Sequence, residues 1–363
     1  MALMDMQSET VSRALLTMKT RALGASGLLA SEIGFGAWGI GGSASGTISY
    51  GPADDAESTR ALHLAFESGV TFYDTSDSYG AGHSERLIGA AFRNRRRRIV
   101  IATKAGFVSP RGDQDFSPAH LRRALTGSLE RLQTDYIDLY QLHNPPPECL
   151  MAENPTLATL RAFVEEGSVR AIGVSVRSPD DGLAAARLAG VQAIQVNFSL
   201  VDQRALGNGL LDVCAHRGIG VIARTPLCYG FLSGAYGPDS VFDPRDHRSA
   251  RSAEQRARWS EAVSQFAEAI VDRSAATPAQ TALRYCLSYS AVTVAIPGMR
   301  TASHVGENVA ASALGPLPDA QRAAIERVYR DHVFFIPPSP AVPTSSQPPG
   351  ALPAASHADD SSC

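Results

Sequence analysis

Short apolar runs alternate with helix-period segments eight times along this chain, and that rhythm restricts the fold more than any other feature. The strand-like runs fall at 33–38, 71–74, 99–103, 136–142, 169–174, 193–196, 220–223 and 291–296. Helical patterns between them include 55–68, 118–132, 156–166 and 204–216. Ser117-Pro118 and Thr277-Pro278 read as an N-cap followed by a first-turn proline. The cap hydroxyl serves a free N–H, and proline lacks only a donor that this position cannot use. Parallel strands joined by helical crossovers close into a barrel or stay open as a doubly wound sheet. Eight of them favour a (β/α)8 TIM barrel. The open sheet is further disfavoured because no G-x-G-x-x-G follows the first run. Gly34-Phe35-Gly36-Ala37-Trp38-Gly39-Ile40-Gly41-Gly42 is rich in glycine but wrongly spaced.

Ahead of the first run, Arg21-Ala22-Leu23-Gly24 and Ser26-Gly27-Leu28 flank a turn, so a short N-terminal β-hairpin is expected. The domain is expected to span 21–336. A flexible extension, 1–20, would precede it, with Met18 as an alternative start. A disordered tail rich in Pro, Ser and Ala, 337–363, would follow. The long segment 227–253, rich in Gly, Asp and Arg, is expected to be a loop that covers a site.

Composition narrows the partners. A net charge of −3 gives no reason to expect nucleic acid or an anionic membrane. No apolar run approaches the roughly 20 residues of a membrane span. The basic run Arg93-Asn94-Arg95-Arg96-Arg97-Arg98 reads as a solvated helix C-terminus. Cys149, Cys214, Cys228, Cys286 and Cys363 are dispersed and odd in number, which suggests reduced thiols and a cytoplasmic setting. The nine histidines show no metal-ligand spacing. A monomer and a ring of subunits are equally compatible with these properties.

Four residues sit at or just past the ends of successive strand-like runs: Asp74 and Tyr79, Lys104, and His143. Active sites of β/α barrels form at that end of the strands, so the four are expected to meet. Taken singly, each has a bland reading as a cap, a packed ring, a solvated cation or a core group. Together they read as an acid catalyst. A phenol has a pKa near 10, and a neighbouring ammonium favours its ionised form. Asp74 would hold Lys104 in place, and His143 would orient a carbonyl or share its proton. A carbonyl that gains a proton at oxygen needs a hydride at carbon, and a nicotinamide is its usual carrier. Later strand ends offer polar groups for one: Ser175, Gln195, Asn197, Arg224 and Thr225. Arg300 and Thr301 near a helix start suit a phosphate.

These motifs resemble the aldo-keto reductases over roughly residues 21–335. The resemblance rests on Tyr73-Asp74-Thr75-Ser76-Asp77-Ser78-Tyr79-Gly80, Ala102-Thr103-Lys104, Gln141-Leu142-His143 and Ile172-Gly173-Val174-Ser175. It rests also on Thr225-Pro226-Leu227 and Ile296-Pro297-Gly298, followed by Glu307-Asn308. It implies a barrel that binds NADPH, in preference to NADH, and that reduces an aldehyde or ketone as its small-molecule partner. It implies Tyr79 as general acid, Lys104 and Asp74 as its tuners and His143 as substrate orienter. Ser175 and Gln195 would hold the carboxamide, and Arg300, Thr301, Glu307 and Asn308 the adenosine end. Gly36, Ala37 and Trp38 would line the site, with Arg224, Thr225, Leu227 and Gly298 as further cofactor contacts. Three positions depart from the common pattern. Val176 replaces an asparagine, Arg224 an aromatic residue and Gly306 an arginine. Two other readings compete: a cofactor-binding regulatory subunit with little turnover, and a non-redox barrel enzyme with Lys104 as a Schiff-base lysine.

Overall fold

The structure is a computed structural model that describes residues 18–43, 46–109, 112–151, 153–270 and 276–336. The expected extension 1–20 falls largely, and the expected tail 337–363 wholly, outside these residues. An antiparallel hairpin, β1 (Thr20–Ala22) and β2 (Leu29–Ser31), comes first. Eight parallel strands follow: β3 (Phe35–Gly36), β4 (Phe72–Asp74), β5 (Val100–Ala105), β6 (Ile137–His143), β7 (Val169–Ser175), β8 (Ala193–Asn197), β9 (Gly220–Arg224) and β10 (Val292–Ile296). They pair in sequence order. The last returns to the first: Ile33 bridges Ala295, and the Gly36 N–H donates to the Pro297 carbonyl at 3.0 Å. The sheet is therefore a closed (β/α)8 barrel with helices outside it.

Strand pleating explains both the core and the site. Residues two apart share a face. Phe72, Val100, Ala102, Leu139, Ala171, Ala193, Ile222 and Val294 form one buried cluster inside the barrel. Leu23, Leu28 and Ala30 of the hairpin plug its lower end. Two residues further along the same faces come Asp74, Lys104, Gln141, Gln195 and Arg224. Each strand thus turns from apolar to polar on its inward face as it reaches the top. A larger cluster, with Phe163, Phe198, Trp259 and Tyr285, fills the space between sheet and helices.

The caps follow the sequence. Ser117 caps Pro118–Leu132, and Thr277 with Gln280 forms a capping box on Pro278–Leu287. Three expectations need correction. The first strand shortens to two residues because Trp38 leads into a 3-10 turn at Gly39–Gly41. The helix expected over 204–216 splits into Arg204–Gly207 and Leu210–Arg217 at Gly209, whose φ is +80°. The basic run is solvated at Arg93, Arg95, Arg97 and Arg98, as expected, but not at Arg96. The helix stops at Phe92, and Arg96 folds inward to Asp138 at 2.7 Å and to the Tyr136 carbonyl at 2.9 Å. Asp138 is buried and accepts the Ile101 N–H, so it needs that cation.

Candidate active site

Lys104 is wholly buried on the inward face of β5. Its Nζ donates to Asp74 Oδ1 at 2.5 Å, to the Thr75 carbonyl at 2.9 Å and to Tyr79 Oη at 3.3 Å. All three of its protons are used. Asp74 Oδ2 accepts from Gln195 at 2.7 Å and from Gln141 at 3.3 Å. The carboxylate is thus anchored across the barrel floor by groups from three strands. Tyr79 stands on the loop after β4. Gly80 makes that loop possible, because its φ is +58° and a Cβ there would lie 2.1 Å from the Gly41 carbonyl oxygen. The four residues expected to meet do meet: the His143 ring lies 5.9 Å from the Tyr79 ring, and the Phe107 ring packs edge-on to the histidine at 4.7 Å.

Their ionisation differs in one respect from the expectation. Burial pushes the Tyr79 phenol above its ordinary pKa, and Lys104 offsets this only in part. The ammonium does not create a standing phenolate. Burial pulls Lys104 down, but Asp74 and Tyr79 outweigh it and the net direction is up. His143 is held well below the usual imidazole range by burial and by the charges of Lys104 and Arg224. At neutral pH the site therefore holds a phenol, an ammonium and a neutral imidazole.

Asp74, Tyr79 and His143 open onto one cleft of about 1310 Å³. Gly36, Ala37 and Trp38 line it beside β3. Gln195, Arg224, Thr225 and Leu227 line it at β8 and β9, and Gly298, Arg300, Glu307 and Asn308 beyond β10. Ser175 and Thr301 do not reach its wall. The Ser175 hydroxyl accepts from Arg224 at 2.8 Å and donates to Gln195 at 3.3 Å, so Arg224 stands between it and the cleft. The Thr301 hydroxyl caps its own helix through the His304 N–H at 3.2 Å. The segment 227–253 contributes Tyr229, Gly230, Tyr236 and Arg248 to one side. It closes against a second loop, where the His247 N–H donates to the Ser49 carbonyl at 2.9 Å.

The sequence reading missed several residues. Asn144 follows His143 directly, a signal that was available, and its Oδ1 accepts from Arg224 at 3.1 Å. Tyr50, on the loop after β3, lies 5.0 Å from the Trp38 ring, yet no motif marks it. Asp77 and Ser76 lie within the quoted motif but carried no assignment.

The cleft fits a dinucleotide in size, since pockets for drug-sized ligands run to about 1000 Å³. Arg224 can only donate, which orients the amides beside it. The oxygens of Asn144 and Asn197 are committed to it, at 3.1 and 2.8 Å, leaving their NH₂ groups as donors toward the cleft they line. Two such donors suit a carboxamide oxygen. At Gly298 nothing lies within 4 Å of where a Cβ would be, so ligand can approach the backbone there. Among the described residues no cluster suited to a metal ion exists, and no helix is long and apolar enough to cross a membrane.

Known proteins resemble this chain in sequence and in fold. A probable aldo-keto reductase of Glycine max is 32% identical over 80% of this chain and 84% of its own length. The NADP(+)-labelled aldo-keto reductase yakc of Schizosaccharomyces pombe is 32% identical over 77% and 83%. Among solved structures, the holo form of aldo-keto reductase AKR11C1 from Bacillus halodurans superposes with a TM-score of 0.71 at 28% identity. It covers 86% of this chain and 96% of that one. The glycerol dehydrogenase AKR11B4 of Gluconobacter oxydans gives 0.71 at 27% identity, over 92% and 99%. The model of the Aldo/keto reductase family matches residues 32–330, a stretch that takes in every barrel strand. The chain belongs to the aldo/keto reductase family, oxidoreductases of carbonyl compounds.

Proposed function

We propose that this protein reduces an aldehyde or ketone to the alcohol with NADPH, and that Tyr79 is the proton donor. One observation carries the reading: Tyr79 Oη faces the cleft beside His143 while lying 3.3 Å from a buried ammonium that Asp74 holds. A nicotinamide bound in this cleft supplies the hydride. The rest is done by the chain. Tyr79 stays protonated at neutral pH, so it has a proton to give. As negative charge grows on the carbonyl oxygen, the phenol transfers its proton, and the resulting phenolate is met by Lys104. Asp74 keeps that cation from moving toward solvent. The Asn144 and Asn197 amides would hold the carboxamide, in place of the Ser175 and Gln195 contacts that the sequence suggested.

Lys104 also bears on the Schiff-base alternative. A nucleophilic lysine must be a free amine. This one is ion-paired, triply hydrogen-bonded and displaced toward the charged form.

Titration with NADPH and NADH, followed by loss of nicotinamide absorbance with a panel of aldehydes and ketones, tests the proposal. Binding with turnover supports it. Binding without turnover would favour a regulatory subunit, and no binding would remove the cofactor assignment.

Cofactor preference has a structural handle. Glu57 Oε1 accepts the Ala302 N–H at 3.2 Å, so a carboxylate of the chain already sits at the helix start expected to receive a phosphate. Glu57→Ala would remove that like charge. NADPH affinity should rise about two- to fivefold, the range for a charge at an exposed helix terminus, with NADH unchanged. Equal changes in the two dissociation constants would place the 2′-phosphate elsewhere.

A further inference from the structure

His143 is neutral, so what it offers a substrate oxygen depends on which ring nitrogen carries its hydrogen. Its Nδ1 lies 3.1 Å from Ser76 Oγ, which leaves Nε2 as the nitrogen available to the cleft. Ser76 Oγ is in turn 3.1 Å from Asp77 Oδ1. The backbone N–H of Ser78 donates to the same hydroxyl at 3.2 Å and takes one of its two lone pairs. Ser76 therefore has one proton and one remaining lone pair to divide among His143, Asp77, Ser78 Oγ at 2.9 Å and the Lys104 carbonyl oxygen, the last at 3.4 Å.

We propose that Asp77, acting through Ser76, sets the tautomer of His143 and so decides whether the site presents a donor or an acceptor to the substrate oxygen. This rests on the reading that the substrate oxygen binds between Tyr79 and His143. An ionised Asp77 can only accept, and a charged acceptor outcompetes a neutral one for the Ser76 proton. Ser76 must then accept from His143, which places the hydrogen on Nδ1 and leaves Nε2 bare. A protonated Asp77 reverses the chain. Its carboxyl donates to Ser76, Ser76 donates to Nδ1, and the hydrogen sits on Nε2. The first state holds two hydrogens on these three groups and the second holds three. The difference is one proton, exchanged with solvent in the cleft. An Nε2–H matches a carbonyl oxygen awaiting reduction, and a bare Nε2 matches an alcohol hydroxyl awaiting oxidation.

The surroundings place this switch in a useful range. Asp77 is partly exposed to the cleft. Facing it are Glu85 on the helix His83–Phe92, Arg131 on Pro118–Leu132 and Tyr140 on β6. Its backbone N–H donates to the Lys104 carbonyl at 3.2 Å. The Arg131 charge is largely taken by Glu85 at 2.6 Å. Burial first, and Glu85 second, push Asp77 up to about 7. Tyr79 and Lys104 move upward and His143 downward, so none of these three titrates near neutrality on its own.

The test is ¹⁵N NMR of the full chain labelled at histidine, from about pH 5 to about pH 9, with His143→Asn identifying the signal. In the wild type the hydrogen should move from Nε2 to Nδ1 near neutrality. In parallel, kcat for carbonyl reduction should fall about tenfold per pH unit above that point. Asp77→Asn offers Ser76 an amide that does not titrate, so the His143 tautomer should stay constant across the range and the alkaline fall should vanish. Ser76→Ala cuts the relay and should also abolish the crossover. A wild-type His143 whose tautomer is constant across the range would overturn the proposal, as would a crossover that persists in either variant. The spectrum is read on the resting protein, so it fails or succeeds independently of whether Tyr79 is the acid.

Discussion

Tyr79→Phe should bind NADPH as the wild type does and reduce carbonyls about 10²- to 10⁴-fold more slowly, the usual contribution of a placed general acid. The substitution removes one oxygen and nothing else. Phenylalanine fills the same space on the same loop, and the Gly80 turn that presents it does not depend on the hydroxyl. The only hydrogen bond that Tyr79 Oη makes to a described side chain is the 3.3 Å contact from Lys104. Lys104 keeps Asp74 and the Thr75 carbonyl, so the stability cost should stay near the ~0.5–1.5 kcal/mol of a typical hydrogen bond. The loss should appear in kcat with little change in KM, because the proton is needed only as charge develops on oxygen. It should also be nearly independent of pH below the phenol's raised pKa. Single-turnover kinetics with pre-bound NADPH would measure it free of product release. Turnover close to wild type would show that another group supplies the proton, and the site would then have to be rebuilt around His143.

The barrel was legible because its signal repeats. Eight apolar runs, each with a turn or cap behind it, leave few folds open, and the closure from β10 to β3 follows once the strands pair in order. Asp74, Lys104 and His143 were legible for a related reason. They continue the inward face of strands whose lower halves are plainly apolar, so pleating alone sends them to one place. What could not be read was competition between interactions. Sequence puts Lys104 beside Tyr79 but does not show that burial outweighs it. Ser175 lies at the right strand end, yet Arg224 reaches it first from β9. Thr301 has the right chemistry for a phosphate and spends it on its own helix. Arg96 belongs to a basic run that reads as solvated until Asp138, forty-two residues away, is seen to need it. Apart from Thr301, whose partner is three residues on, each of these depends on a partner distant in sequence.

The same competition governs the last prediction, which separates what Lys104 does for the fold from what it does for the reaction. Lys104→Met keeps the length of the side chain and removes its charge. Asp74, 2% exposed, would be left with only the amide donors of Gln195 and Gln141. Removing one partner of a buried ion pair costs about 3–5 kcal/mol, because the other charge stays buried without compensation. The aspartate can relieve part of that by taking a proton. Its pKa in the folded variant would then lie above its unfolded value, so the variant should be more stable in acid and lose stability as pH rises through the raised folded value. Asp74→Asn added to Lys104→Met removes the second charge as well. The double variant should regain most of the lost stability and lose its pH dependence, while kcat remains low, since no cation is left to meet the Tyr79 phenolate. Urea unfolding at two pH values, with kcat on the same preparations, measures all of this. If the double variant recovered activity along with stability, Lys104 would be a structural residue and the acid would need a different source of stabilisation. If the single variant unfolded at the wild-type denaturant concentration, the buried pair would contribute nothing to the fold.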